Sequence, residues 1–245
     1  MEKSKVLGVI PARLGSTRLP RKVLRLIAGR PMIEWVWHAA VASGCMDRVV
    51  IATDSEEVAD LCQVHGIEAI LTSPACASGS DRVYEVSRQI EAEIYVNIQG
   101  DEPLLTPAHL TPMLDLFAQP QVEVATVAVP CSPADIANPN AVKVVTGIDG
   151  RALYFSRATI PFDRDAASFT GYRKHLGVYA YRKAALERFA ALKPSPLEEI
   201  ERLEQLRMLE NGMAIYVAHT ETDTVGVDTE EDLQRVEAIL LSRHP

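Results

Sequence analysis

The first half of the chain alternates short apolar runs with longer segments whose apolar residues recur every three to four positions. Residues 5–10 form an almost uninterrupted apolar run that stops at Pro11, the pattern of a strand buried on both faces. Residues 32–43 carry helical spacing and meet Gly44 as a stop. Strands are predicted at 48–52, 68–71, 94–98 and 122–129. Helices are predicted between them, from a Ser55 cap to about His65 with Gly66 as its end, over 80–90, and over 107–118. Strand–helix alternation of this kind predicts an α/β fold built on a doubly wound, mostly parallel sheet.

Beyond about residue 130 the pattern changes. Residues 141–146, 152–155 and 176–181 read as strands of a mixed or antiparallel piece, and 196–211 as one long amphipathic helix closed by Gly212. A strand at 215–218 follows. Asp228 or Thr229 then caps a final helix, with Thr229 and Asp232 in the spacing of a capping box. The expected organisation is a core of residues 1–130 with 213–245, and a smaller mixed α/β subdomain of residues 131–212. No internal repeat or low-complexity tract interrupts it.

Composition narrows the function. Of 245 residues, 47% are hydrophobic and 24% charged, which suits a packed core rather than disorder. The net charge of −8 argues against nucleic-acid binding, so any phosphate chemistry must gather its cations locally. Cys45, Cys62, Cys76 and Cys131 are widely spaced with no C-x-x-C pair, which argues against zinc and disulfides and for a reducing compartment. The N-terminal apolar run is too short for a signal peptide or a membrane span, so a cytoplasmic protein without membrane association is expected.

One loop does gather cations. Residues 11–22, directly after the first strand, hold Arg13, Arg18, Arg21 and Lys22 together with Gly15, Ser16 and Thr17. Ligands of open α/β sheets bind beyond the carboxyl ends of strands, and this composition suits a triphosphate there. Neither G-x-G-x-x-G nor G-x-x-x-x-G-K-[ST] is present, which weakens a dinucleotide oxidoreductase or P-loop reading. Asn97-Ile98-Gln99-Gly100-Asp101-Glu102-Pro103 follows another strand, and Asp101 on that rim is either a turn residue or a Mg²⁺ ligand. Asp228 reads equally well as a helix cap.

The stretches IPARLGSTRLPRK, ATDSEEV, SGSDRVYEV, NIQGDEP, NPNAVKVV, ALYFSRATIPFDRD, HLGVYAYR, PSPLEEIERLEQLR and GVDTEEDL span nearly the whole chain. Together they resemble the 3-deoxy-D-manno-octulosonate (Kdo) cytidylyltransferase family, the CMP-Kdo synthetases. The first and fourth also occur in a wider group that includes CMP-sialic acid synthetases. SRATIPFDRD, HLGVYAYR and the 194–207 stretch are more specific to the Kdo enzymes.

The resemblance implies a Rossmann-like nucleotidyltransferase with a sugar-binding and dimerisation insertion, acting as a cytoplasmic homodimer. It implies that CMP passes from CTP to Kdo, with release of pyrophosphate, for lipopolysaccharide biosynthesis; related acceptors are 8-amino-Kdo and sialic acid. Arg13 and Lys22 resemble the family's triphosphate-binding cations, and Asp101 and Asp228 its Mg²⁺ ligands, with Arg13, Lys22 and Asp101 catalytic. Pro11, Ala12, Gly15, Ser16, Ser78, Gly79 and Asp81 would complete the nucleotide site. Gln99, Arg157, Arg164, His175, Tyr179, Glu204 and Gln205 resemble the sugar pocket, with the sugar carboxylate assigned to Arg157 and a hydroxyl to His175. The chain departs from the family's L-P-G-K-P-L at Arg21 and Val23, where glycine and proline are usual.

Overall fold

The computed structural model describes residues 4–15, 19–165 and 169–243, which fall into two compact units, Met1–Pro107 with Thr224–Pro245, and Ala108–Asp223. The first unit contains β1 (Ser4–Ala12), a small hairpin of β2 (Leu26–Ile27) and β3 (Arg30–Pro31), α1 (Met32–Ala42), β4 (Arg48–Thr53), α2 (Glu56–Val64), β5 (Ala69–Leu71), α3 (Gly79–Ser87) and β6 (Ala92–Asn97). β1 is central, running parallel to β6 on one side and to β4 on the other, with β5 parallel to β4. Leu7, Val9 and Ile10 are fully buried, which is why this strand reads as a continuous apolar run.

Local chemistry sets the helix ends. The Ser55 side chain accepts from Val58 N–H at the start of α2, and Gly66 beyond its end takes φ 67°, a left-handed turn that glycine tolerates without strain. Ser78 and Asp81 form a reciprocal capping box at the start of α3.

The second unit contains α4 (Pro107–Asp115, its first residue counted with the first unit), β7 (Val124–Pro130), α5 (Pro133–Ile136), β8 (Lys143–Thr146), β9 (Ala152–Ser156), β10 (Arg173–Arg182), α6 (Lys183–Ala190), α7 (Pro196–Glu201), α8 (Gln205–Glu210) and β11 (Tyr216–His219). β7 pairs antiparallel with β10 and parallel with β11, and β8 pairs antiparallel with β9 and β10. α9 (Glu230–Arg243) closes the first unit.

Three features differ from the sequence pattern. The long helix predicted over 196–211 is two short helices, because Arg202 adopts φ 54° and sends Leu203 N–H back to Glu198 O at 3.3 Å. α6 occupies a segment for which no element was predicted. The unit boundaries fall near 107 and 223 rather than 130 and 213, because β7 and β11 pair with each other and β7 with β10. No helix of the described residues is long and apolar enough to cross a membrane.

Candidate active site

A cleft of about 590 Å³ opens in the first unit beyond the carboxyl ends of β1 and β6, within the range of small-molecule sites. β1 delivers Pro11 and the loop after it Arg13 and Gly15, the start of α3 delivers Ser78 and Gly79, and the segment after β6 delivers Gln99, Gly100 and Asp101. The two strand ends approach closely, since a Cβ on Gly100 would lie 2.7 Å from the Pro11 carbonyl oxygen. Only glycine fits there.

At this cleft Lys22 Nζ donates to Asp101 Oδ2 at 2.5 Å and to Asp228 Oδ1 at 3.1 Å. Burial pushes the Lys22 pKa down, but the two carboxylates outweigh it and hold the ammonium above its ordinary value. Asp228 reaches the cleft because the chain before α9 is laid against the loop after β6. Val227 N–H donates to Asp101 O at 2.9 Å, and the Thr224 hydroxyl donates to Glu102 Oε2 at 2.9 Å. Val227, Leu233, Val236 and Leu240 bury against Leu19, Ile27, Met32 and Leu104, which anchors α9.

The cap of α9 decides the ambiguity over Asp228. Thr229 Oγ1 accepts from Asp232 N–H at 3.2 Å, and the Asp232 carboxylate accepts from Thr229 N–H at 2.9 Å. Thr229 and Asp232 are therefore the capping pair, and the Asp228 carboxylate faces Lys22 instead.

Two carboxylates that converge on one cation beside a cleft of this size fit Mg²⁺. That ion takes hard oxygen donors, commonly one or two carboxylates, and fills the rest of its shell with water and substrate phosphates. Among the described residues, no group of three or more His, Cys, Asp or Glu side chains forms a metal cage.

The remaining predicted nucleotide residues divide. Arg13, Gly15, Ser78 and Gly79 line the cleft. Ala12 is buried in β1 and pairs with Thr53, so only its backbone is close to the rim. Ser16 lies outside the described residues. Asp81 does not line the cleft; its carboxylate accepts Ser78 N–H at 3.0 Å as part of the α3 cap. Arg21 points elsewhere, pairing with Glu57, and takes the left-handed φ of 55° at the position where the family usually has glycine.

Sequence reasoning missed Val23, Cys76 and Arg82, which also line the cleft. Arg82 is 3% exposed and donates to Thr72 Oγ1 and Asp54 Oδ2, each at 2.6 Å. Its place four residues after the Ser78 cap, on the inward face of α3, was the available signal. The Cys76 thiol donates to Glu85 Oε2 at 3.1 Å, and burial followed by that carboxylate pushes its pKa up to about 12. It is an inert thiol at neutral pH.

Of the predicted sugar residues, Gln99 lines the first unit's cleft and the others lie in the second unit. Arg157 is committed to backbone: Nε donates to Glu201 O at 2.7 Å, Nη1 to Pro139 O at 3.0 Å and Nη2 to Arg202 O at 3.3 Å. Lys143, fully buried, adds bonds to Asn138 O, Ala141 O and Arg157 O, and burial lowers its pKa. The two cations stitch three chain segments together, so the geometry does not favour Arg157 as the carboxylate ligand. Arg164 is exposed.

His175 lies on β10 with its ring 5.0 Å from Phe155 and 5.2 Å from Tyr179, and burial lowers its pKa to about 3. The buried Tyr179 hydroxyl has no hydrogen-bond partner among the described residues, and burial, Tyr181 and Glu204 raise its pKa. An orphaned buried hydroxyl is what a polyhydroxylated ligand would satisfy. Glu204 stands at the start of α8, 3.9 Å from Arg207, and Gln205 is buried beside it.

A family model described as cytidylyltransferase matches residues 7–215. The chain is 68% identical over 243 residues to the 3-deoxy-manno-octulosonate cytidylyltransferase of Acidobacterium capsulatum, with 99% of each chain covered. It is 56% identical over 240 residues to that of Koribacter versatilis, covering 98% of this chain and 92% of the relative. A solved structure of CMP:2-keto-3-deoxy-manno-octonic acid synthetase complexed with CTP matches with TM-score 0.92 at 41% identity, over 98% of this chain and 100% of that one.

Proposed function

The chain belongs to the 3-deoxy-manno-octulosonate cytidylyltransferase family, and we propose that it transfers CMP from CTP to Kdo, releasing pyrophosphate, for lipopolysaccharide biosynthesis. The observation that carries the chemistry is the convergence of Asp101 and Asp228 on Lys22 at the cleft. The CTP-bound relative supports the nucleotide, and the names of the full-length relatives support the sugar.

CTP binds with its triphosphate toward Arg13, Gly15 and Lys22 and its cytidine toward Pro11, Ser78 and Gly79. The anomeric hydroxyl of Kdo attacks the α-phosphorus, a new P–O bond forms, the α–β bridging P–O bond breaks, and the hydroxyl proton passes to water. Arg13 and Lys22 compensate the charge that gathers on the departing pyrophosphate. No protein nucleophile is required, because positioning and charge compensation suffice for this class of transfer. Mg²⁺ held by Asp101 and Asp228 would supply further neutralisation of phosphate charge. Tyr179, His175, Arg164, Glu204 and Gln205 of the second unit are proposed sugar contacts, and Gln99 is proposed as a sugar contact of the first unit's cleft.

The protein acts in the cytoplasm as a homodimer. All four cysteines are free thiols, as a reducing compartment requires, and the second unit exposes Ile148, Leu153 and Ile200, apolar surface that suits a second copy. Asp101→Asn and Asp228→Asn should each reduce CMP transfer by about 100-fold or more while leaving the circular dichroism spectrum unchanged. Near-normal turnover of either variant at limiting Mg²⁺ would remove that carboxylate from the metal site.

A further inference from the structure

Lys22 occupies the position at which the two proposed metal carboxylates meet. Its ammonium is 2.5 Å from Asp101 Oδ2 and 3.1 Å from Asp228 Oδ1. A Mg²⁺ ion coordinates carboxylate oxygens at about 2.0–2.1 Å with near-octahedral demands. An ion on those same two oxygens would stand close to the ammonium, and the two positive charges would repel each other.

We propose that Lys22 is a stand-in cation that closes the metal site of the nucleotide-free protein and opens it by moving onto the triphosphate when CTP enters. This rests on the site reading above and adds an order to it, with nucleotide and metal binding cooperatively. The backbone is fixed for such a swing. Val23 is 5% exposed, and the 3-10 turn is closed by Leu24 N–H to Arg21 O at 2.9 Å and Arg25 N–H to Lys22 O at 3.1 Å. Only the flexible four-carbon stem has to turn, and Lys22 already lines the same cleft as Arg13 and Gly15.

The exchange balances charge at both ends. With nothing bound, removal of the ammonium would leave two carboxylates facing each other, so it stays. A bound triphosphate gives the ammonium a new anion, and the metal then gives the carboxylates a new cation. By linkage, the factor by which nucleotide tightens metal binding equals the factor by which metal tightens nucleotide binding.

Mn²⁺ titration of the nucleotide-free full-length protein, followed by electron paramagnetic resonance, tests this with no turnover involved. Lys22→Met should bind Mn²⁺ about tenfold or more tightly than wild type, within the range usual for coupling between two sites, while Lys22→Arg should stay near wild type. At the same Mn²⁺ concentration the melting temperature of Lys22→Met should rise more than that of wild type. Wild type binding Mn²⁺ as tightly as Lys22→Met overturns the stand-in role and leaves the metal assignment intact. Mn²⁺ binding that survives in Lys22→Met combined with Asp228→Asn overturns the metal assignment itself.

Discussion

Acidification should destabilise the second unit through His175, and the structure gives both sign and size. His175 Nε2 lies 2.9 Å from Thr126 Oγ1, while that hydroxyl donates to Val178 O at 2.7 Å. A hydroxyl has one proton, so with it committed to Val178 the Thr126 oxygen accepts and His175 Nε2–H donates. Burial between Phe155 and Tyr179 disfavours the charged ring and lowers its pKa to about 3, so the donating imidazole is neutral. An unfolded chain titrates this group near 6.5, so below that pH the unfolded state takes up a proton that the folded state refuses. The stabilisation is complete above pH 6.5 and is lost progressively as the pH falls toward 3, at about 1.4 kcal/mol per pH unit. Between pH 6.5 and 5 the loss is about 2 kcal/mol. Urea unfolding of wild type and His175→Gln, followed by circular dichroism from pH 7.5 to 5, reads it directly. The stability gap between the two should narrow by that amount toward pH 5. Parallel stability–pH curves for the two proteins would refute the buried neutral histidine.

Arg157→Ala should act as a structural lesion, because it strips donors from three backbone carbonyls; about 2 kcal/mol of stability should be lost in the same unfolding assay. Arg164→Ala should instead leave stability unchanged and raise the KM for Kdo about tenfold, and the reverse pattern in steady-state kinetics would restore Arg157 as the carboxylate ligand. Arg21→Gly should raise stability by about 0.5–1 kcal/mol, since relief of the left-handed strain exceeds the loss of an exposed ion pair with Glu57, and a lower melting temperature would contradict this.

The sequence was most legible where structure is decided locally. Ser55, Gly44 and Gly66 mark helix ends because capping depends on a few neighbouring residues, and the apolar run of β1 reports a strand covered on both faces. The break between α7 and α8 was invisible because a left-handed arginine, Arg202, carries no glycine or proline signature. Asp228 was ambiguous because Thr229 and Asp228 both suit a cap, and only the position of Asp232 separates them. Asp81 was readable, since Ser78-x-x-Asp81 is itself a capping spacing, yet the family resemblance drew it to the nucleotide. Arg157 and Arg82 show the remaining limit. A sequence displays a cation but not whether its donors are already spent on carbonyls, as in Arg157, or held by Asp54 at a cleft wall, as in Arg82.

The central claim is that this cleft joins CMP to a 3-deoxy-octulosonic acid. Pyrophosphate release with CTP and Mg²⁺, assayed against a panel of Kdo, 8-amino-Kdo, sialic acid and neutral sugars, tests it most directly. The account predicts rapid release with Kdo, little with sialic acid and none with neutral sugars, and in each productive reaction one CMP-sugar formed per pyrophosphate. Release that is no faster with Kdo than with neutral sugars would contradict it.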